Sequence, residues 1–207
     1  MNLVRPRFAP KIVIGIDPGT GSKSNTGLAI LNMEDMEIIL SCELSPMSKY
    51  GTPDERIYDI SSEYSDVLSM IVDGGVKDED IMVVFEHFVM KGKSGETMNR
   101  LIGGLIGRTK YQTYHVNNLV VKKKMTGFGG SDDKKAVGRG LESVFRDNHI
   151  AVKIIKELID AEKWDRLDAI AIGVSGYEEF CDNYKKAKKP TKPKKGKQRK
   201  GRQVKNG

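Results

Sequence analysis

The sequence predicts an α/β domain built on a mixed sheet, in which an antiparallel three-strand meander is followed by strands parallel to the first, with helices flanking them. Three observations carry this. Three apolar runs lie within the first 44 residues, joined by short turn-rich segments. A long helical repeat separates them from a fourth apolar run, Ile81 to Glu86, and a strand that follows a long helix pairs parallel with an earlier one. Both the first and the fourth run end on a carboxylate, Asp17 and Glu86.

Each element follows from local pattern. Lys11-Ile-Val-Ile-Gly-Ile-Asp17 is β-branched and apolar, hence a buried strand, and a glycine-rich turn returns the chain into a second strand, Thr26 to Asn32. The turn Met33-Glu-Asp leads into a third, Met36 to Leu44. Residues 45–53 are rich in Ser, Pro and Gly and predict a loop. Ile57, Ile60, Tyr64, Val67, Leu68 and Ile71 recur at steps of three and four, one face of a helix that Gly74-Gly75 stops. Ser94 to about Tyr114 reads as a helix whose Gly103, Gly104 and Gly107 serve either packing on the sheet or a seam between two copies of the chain. A short strand is expected near Thr113 to Val116. A basic cluster at Lys122, a glycine loop and a Ser/Asp helix cap then precede helical patterns reaching Phe145 and running from Ile150 to Glu162. The last helix opens at Trp164 and carries Asp165 and Asp168 one turn apart, followed by an apolar stretch suited to lying on a sheet.

The 207 residues fit one domain, assigned to residues 1–184. Residues 185–207 hold twelve Lys or Arg and no acid, and their Lys, Pro and Gly composition predicts a disordered arm. Taking those twelve from 35 basic residues leaves 23 against 28 acids, so the body is negative and the arm strongly positive. That asymmetry points to a polyanionic partner, nucleic acid before others, a solubilising or targeting arm being the plainer alternative. Cys42 and Cys181 have neither metal spacing nor a disulfide framework, which suits a reducing cytoplasm. No window reaches transmembrane length and the N-terminus lacks an apolar signal region, so a soluble intracellular protein without membrane contact is expected.

The acids carry the chemistry. An unpaired buried carboxylate costs several kcal/mol, roughly, so a strand ending on one calls for a cation or N–H partners. Parallel pairing of the first and fourth strands brings Asp17 and Glu86 to one sheet edge, where open α/β sheets bind ligands. Asp165 near a helix N-terminus is partly explained by the helix dipole, Asp168 less so. Four acids in one neighbourhood repel unless divalent cations neutralise them. An all-carboxylate set selects Mg²⁺, with Mn²⁺ as substitute, and two such ions support phosphodiester hydrolysis.

In order along residues 11 to about 176, Ile14-Gly-Ile-Asp17-Pro-Gly-Thr, Phe85-Glu86-His-Phe-Val-Met90, Lys122 with Thr126-Gly127-Phe-Gly-Gly and a following Lys, and Asp165-x-x-Asp168-Ala-Ile-Ala-Ile resemble the RuvC-type Holliday-junction resolvases of the ribonuclease H-like fold. The resemblance implies a homodimeric, Mg²⁺-dependent endonuclease that makes paired nicks across a four-way DNA junction. Asp17, Glu86, Asp165 and Asp168 would hold two metal ions, and the basic loop and the helix after it would meet the scissile phosphates. Lys122 falls on a basic position of the family. Lys134 or Lys135 falls on another, one extra loop residue leaving the choice open. The family's aromatic three residues beyond the Glu, which stacks on junction DNA, is replaced by Val89, with Phe88 beside it. The segment before Asp165 is longer than in bacterial members and the Lys-rich arm is unusual, features that fit a bacteriophage or viral member better than a bacterial one, with a bacterial or phage-infected cytoplasm as the expected location. A broader branched-DNA or RNA–DNA hybrid nuclease, and a silent nucleic-acid-binding relic, are the alternatives. His87 should point away from Glu86 by strand alternation, as a structural histidine.

Overall fold

The structure, a computed structural model, describes residues 9–20, 25–48, 50–87, 93–127 and 133–187. The expectations for Phe88 and Val89, for the glycine loop at 128–132, for most of the first turn and for the arm beyond Ala187 lie outside the described residues. Strands β1 (Ile12–Asp17), β2 (Thr26–Asn32) and β3 (Glu37–Leu44) form the antiparallel meander. Helix α1 (Pro53–Asp73) and a turn of 3-10 helix at Asp78–Asp80 lead to β4 (Ile81–Glu86), parallel to β1. Helix α2 (Lys93–Arg108) leads to β5 (Gln112–Val116), parallel to β4. Then come α3 (Asn118–Thr126), α4 (Lys134–Val144), α5 (His149–Asp160) and α6 (Trp164–Ala187). The strand order is β3-β2-β1-β4-β5, so the mixed α/β sheet read from the sequence is the one observed.

Alternation along β1 and β4 divides the core into two layers. Ile12, Ile14, Ile16, Ile81, Val83 and Phe85 point to one face and pack with Ile60, Tyr64, Leu101 and Leu105 of α1 and α2. Val13, Met82 and Val84 point to the other, against α6 and the α3–α5 cluster behind it. Continuing the second phase past Val13 and Val84 places Asp17 and Glu86 on the α6 face. α6 is buried almost all round from Leu167 to Tyr177, as a helix pressed between a sheet and other helices must be.

Three sequence expectations are corrected. The helix expected to reach about Tyr114 ends at Arg108, because the aromatic and β-branched alternation of Gln112 to Val116 pairs with β4 instead. The Lys122 cluster lies on helix α3, opened by Asn117, whose side chain accepts from the Leu119 N–H, and closed by Gly127 at φ 75°. α6 runs to Ala187, three residues into the segment expected as an arm.

The glycines of α2 serve different ends. Gly104 faces α1, where a Cβ would stand 3.3 Å from Ser61 Oγ, whereas a Cβ at Gly103 or Gly107 would meet nothing of its own chain among the described residues.

Candidate active site

Asp17 and Glu86 end neighbouring strands. The β1–β4 register runs to Ile16 opposite Phe85, so the next residues along are the two acids. Asp165 and Asp168, in the first turns of α6, reach the same sheet edge because α6 lies unusually close to β1 and β2. A Cβ on Gly15 would stand 2.1 Å from the Ala169 carbonyl oxygen, and one on Gly27 would stand 1.9 Å from that of Asp165. Only glycine admits such an approach, so both residues are explained by helix-on-sheet contact.

The side chains form two groups. Glu86, only 6% exposed, accepts from Asn118 Nδ2 and neighbours Asp17 at the strand ends. Asp168 pairs with Lys134 Nζ. Glu86, Asn118, Lys122, Lys134 and Asp168 line one cavity of about 340 Å³, floored by apolar residues including Val121, Val137 and Ile172. Asp165 turns the other way, accepting from the Asn25 backbone N–H at 3.1 Å. Asn25 Nδ2 in turn donates to Glu43 at 2.9 Å, and Lys163 Nζ lies 3.4 Å from the same carboxylate. Lys134 is thus the loop-following lysine whose ammonium meets the acids, while Lys135 gives its backbone N–H to Asp133.

Electrostatics reflect the crowding. Burial, reinforced by the charges of Asp168 and Glu86, holds the Asp17 carboxyl well above the usual carboxylate range. Burial also raises Glu86, against the opposing hydrogen bonds from Asn118 and Asp17. Asp165 is raised by burial, with Glu43 and Asp168 adding to it and the Asn25 N–H opposing. Burial pulls the Lys134 ammonium down, but the Asp168, Asp17 and Asp165 carboxylates more than offset it and keep it protonated.

Among the described residues no three His, Cys, Asp or Glu side chains are gathered closely enough to hold a metal ion as they stand, since Asp165 is drawn to Asn25 and Asp168 to Lys134. The donor set nonetheless suits a hard divalent cation: four carboxylates, with no sulfur or imidazole between them. Burial first, and the charge of Asp168 after it, raise both Asp17 and Glu86, and a bound cation would counter both effects.

Sequence pattern does not single out Asn25, Glu43 or Asn118. For Asn118 there is a signal, two asparagines in a row after a strand where a helix needs one cap. Asn25 and Glu43 have none, Asn25 being 140 residues from Asp165 in the chain. His87 points away from Glu86, as alternation requires: its ring sits edge-on to His115 at 6.2 Å, and His115 stacks on Phe85 at 5.7 Å.

The sequence matches no protein-family profile and no curated protein. In fold, the chain is similar to the structure of Thermus thermophilus RuvC, at 18% sequence identity and a TM-score of 0.55, covering 82% of this chain and 96% of that one. It is also similar to T. thermophilus RuvC in complex with a Holliday junction substrate, at 16% identity and a TM-score of 0.55, covering 82% and 95%. No helix of the described residues is long and apolar enough to cross a membrane.

Proposed function

We propose that the protein is a structure-selective DNA endonuclease that resolves four-way junctions by paired nicks, with Asp17, Glu86, Asp165 and Asp168 as ligands of Mg²⁺. The observation that carries this reading is the meeting, at one edge of a RuvC-like sheet, of strand-end and helix acids with Lys134 and Lys122 around one cavity. A divalent cation held by these carboxylates supplies the charge that activates water and stabilises the leaving oxygen. The protein's own contribution is placement. Rigid strand ends fix Asp17 and Glu86, and α6 fixes the two aspartates against them. The Lys122 and Lys134 ammonium groups, on α3 and α4, take the non-bridging oxygens of the scissile phosphate.

Two opposed strands must be cut, which suits a homodimer, and among the described residues nothing stands within 4 Å of a Cβ at Gly103 or Gly107 on α2, a face suited to a second copy. The basic residues beyond Ala187 supply further phosphate contacts along the duplex arms. The test is cleavage of a synthetic four-way junction beside duplex, flap and RNA–DNA hybrid, with Mg²⁺ and with chelator. Symmetric, Mg²⁺-dependent nicking of the junction, lost in Asp17→Asn while junction binding persists, is the expected result. Equal cutting of every branched form overturns junction selectivity, and undiminished nicking by Asp17→Asn removes the acid cluster from the chemistry.

A further inference from the structure

We infer that Asn118 is a positioning residue that holds the Glu86 carboxylate in the orientation needed to bind the metal ion. This rests on the reading of Glu86 as a metal ligand. Glu86 sits at the very end of β4, buried, on a side chain with three rotatable bonds. The donation from Asn118 Nδ2 to Oε1 tethers the head group from outside the acid cluster.

The topology makes this tether local. β5 pairs parallel with β4 so that Val116 lies opposite Glu86, and the His87 N–H donates to the Val116 carbonyl at 2.8 Å. The chain leaving Val116 therefore turns into α3 directly beside Glu86. The turn needs one asparagine as its cap, and Asn117 fills that role, its Oδ1 accepting from the Leu119 N–H at 2.8 Å. Asn118, the first residue of the helix, is left to face the cavity, one turn before Lys122 on the same side of α3.

The chemistry of the amide fits this work. A carboxylate has about four lone-pair sites, so a donor on one oxygen leaves the rest for a cation. A lysine or arginine in the same place would neutralise the charge that the metal needs. An amide orients the group and leaves its charge intact, as outer partners of metal ligands do, and loss of such a partner costs about 10- to 100-fold in metal affinity or activity.

The experiment compares wild type, Asn118→Ala, Asn118→Gln and Asp17→Asn by the rise in melting temperature with Mg²⁺ in the absence of DNA, and by the Mg²⁺ concentration that half-saturates junction nicking. Asn118→Ala should melt with wild type in chelator, because Asn117 still caps α3. It should need about 10- to 100-fold more Mg²⁺ in both assays, with junction binding unchanged. Asn118→Gln, which keeps the amide donor, should recover part of the loss. Unchanged Mg²⁺ dependence in Asn118→Ala, or a loss confined to junction affinity, overturns the inference. If Asp17→Asn also keeps its Mg²⁺ response, the acid cluster itself is misread. If Asp17→Asn loses that response while Asn118→Ala behaves as wild type, only the role of Asn118 falls.

Discussion

Gly27→Ala tests whether the close seating of α6 on the sheet is what delivers Asp165 to the site. The added methyl would stand 1.9 Å from the Asp165 carbonyl oxygen and 2.5 Å from its carbonyl carbon, where ordinary van der Waals separation begins at 3.4 Å. Both atoms are backbone, so no rotamer change relieves the clash. The first turn of α6 must retreat from β2 by about 1.5 Å, the difference between those distances. Overpacking of this kind costs about 1–3 kcal/mol. In a chain of this size that lowers the melting temperature by roughly 2–12 °C. A displacement near 1 Å of a reacting group costs on the order of 100-fold in rate. Circular dichroism melts and junction nicking at saturating Mg²⁺ measure the two effects, and the rate should fall further than partial unfolding accounts for at the assay temperature. A Gly27→Ala protein that melts with wild type and nicks at the wild-type rate would refute the claim that helix seating sets the position of Asp165.

Three further outcomes follow. Asp17 has a folded pKa raised above its unfolded value, so between those two values the native state binds the extra proton and stability falls as pH rises. In chelator, Asp17→Asn should therefore melt above wild type by a margin that widens as pH rises above the ordinary carboxylate range and narrows when Mg²⁺ is added to wild type; a pH-independent margin contradicts the cost of a buried, crowded charge at Asp17. Lys134→Ala breaks an ion pair in which Lys134 is 48% exposed, so the stability loss should stay within about 1 kcal/mol, while junction nicking falls by about 100- to 1000-fold. A wild-type rate would exclude Lys134 from the scissile phosphate. Truncation after Ala187 should weaken junction binding and flatten its salt dependence by about 0.9 in log–log slope for each phosphate that the arm neutralises, read by fluorescence anisotropy across a salt series. An unchanged slope would show that the arm does not touch phosphate.

What is legible in the sequence is what rests on short-range pattern. The β1 and β4 runs are apolar on both faces and end on charge, which announces two buried strands and a problem at their tips; the parallel register then makes Asp17 and Glu86 neighbours. The α6 acids are legible because one helical turn separates them ahead of an apolar stretch. Helix α3 is not, since Leu119-Val-Val carries β-branched residues, and only Asn117, the Val121–Met125 spacing and Gly127 mark it as a helix. The partners are hidden for a different reason: nothing pairs Asn25 with Asp165, and the doubled asparagine hints at Asn118 without pointing to Glu86. These hydrogen bonds join residues with no periodic relation, and only the three-dimensional path of the turns makes them meet. Lys134 and Lys135 are inseparable by pattern, being adjacent and alike, until the orientation of α4 puts one ammonium on Asp168.

The same packing that holds the core together also builds the site. Gly15 on β1 faces Gly173 on α6, where a Cβ on Gly173 would lie 3.3 Å from the Gly15 Cα, and two residues beyond Gly15 on the same strand face is Asp17. Ala169, next to Asp168, is wholly buried against this seam. Apolar burial along α6 thus supplies the free energy that brings the backbones of four acids to one sheet edge, against the repulsion of their charges. Substitutions at Gly15, Gly27 or Gly173 should accordingly lose stability and activity together, whereas substitutions at the exposed Asn118 or the half-exposed Lys134 should lose activity alone. That split separates the residues that carry α6 to the sheet from those that work once it is there.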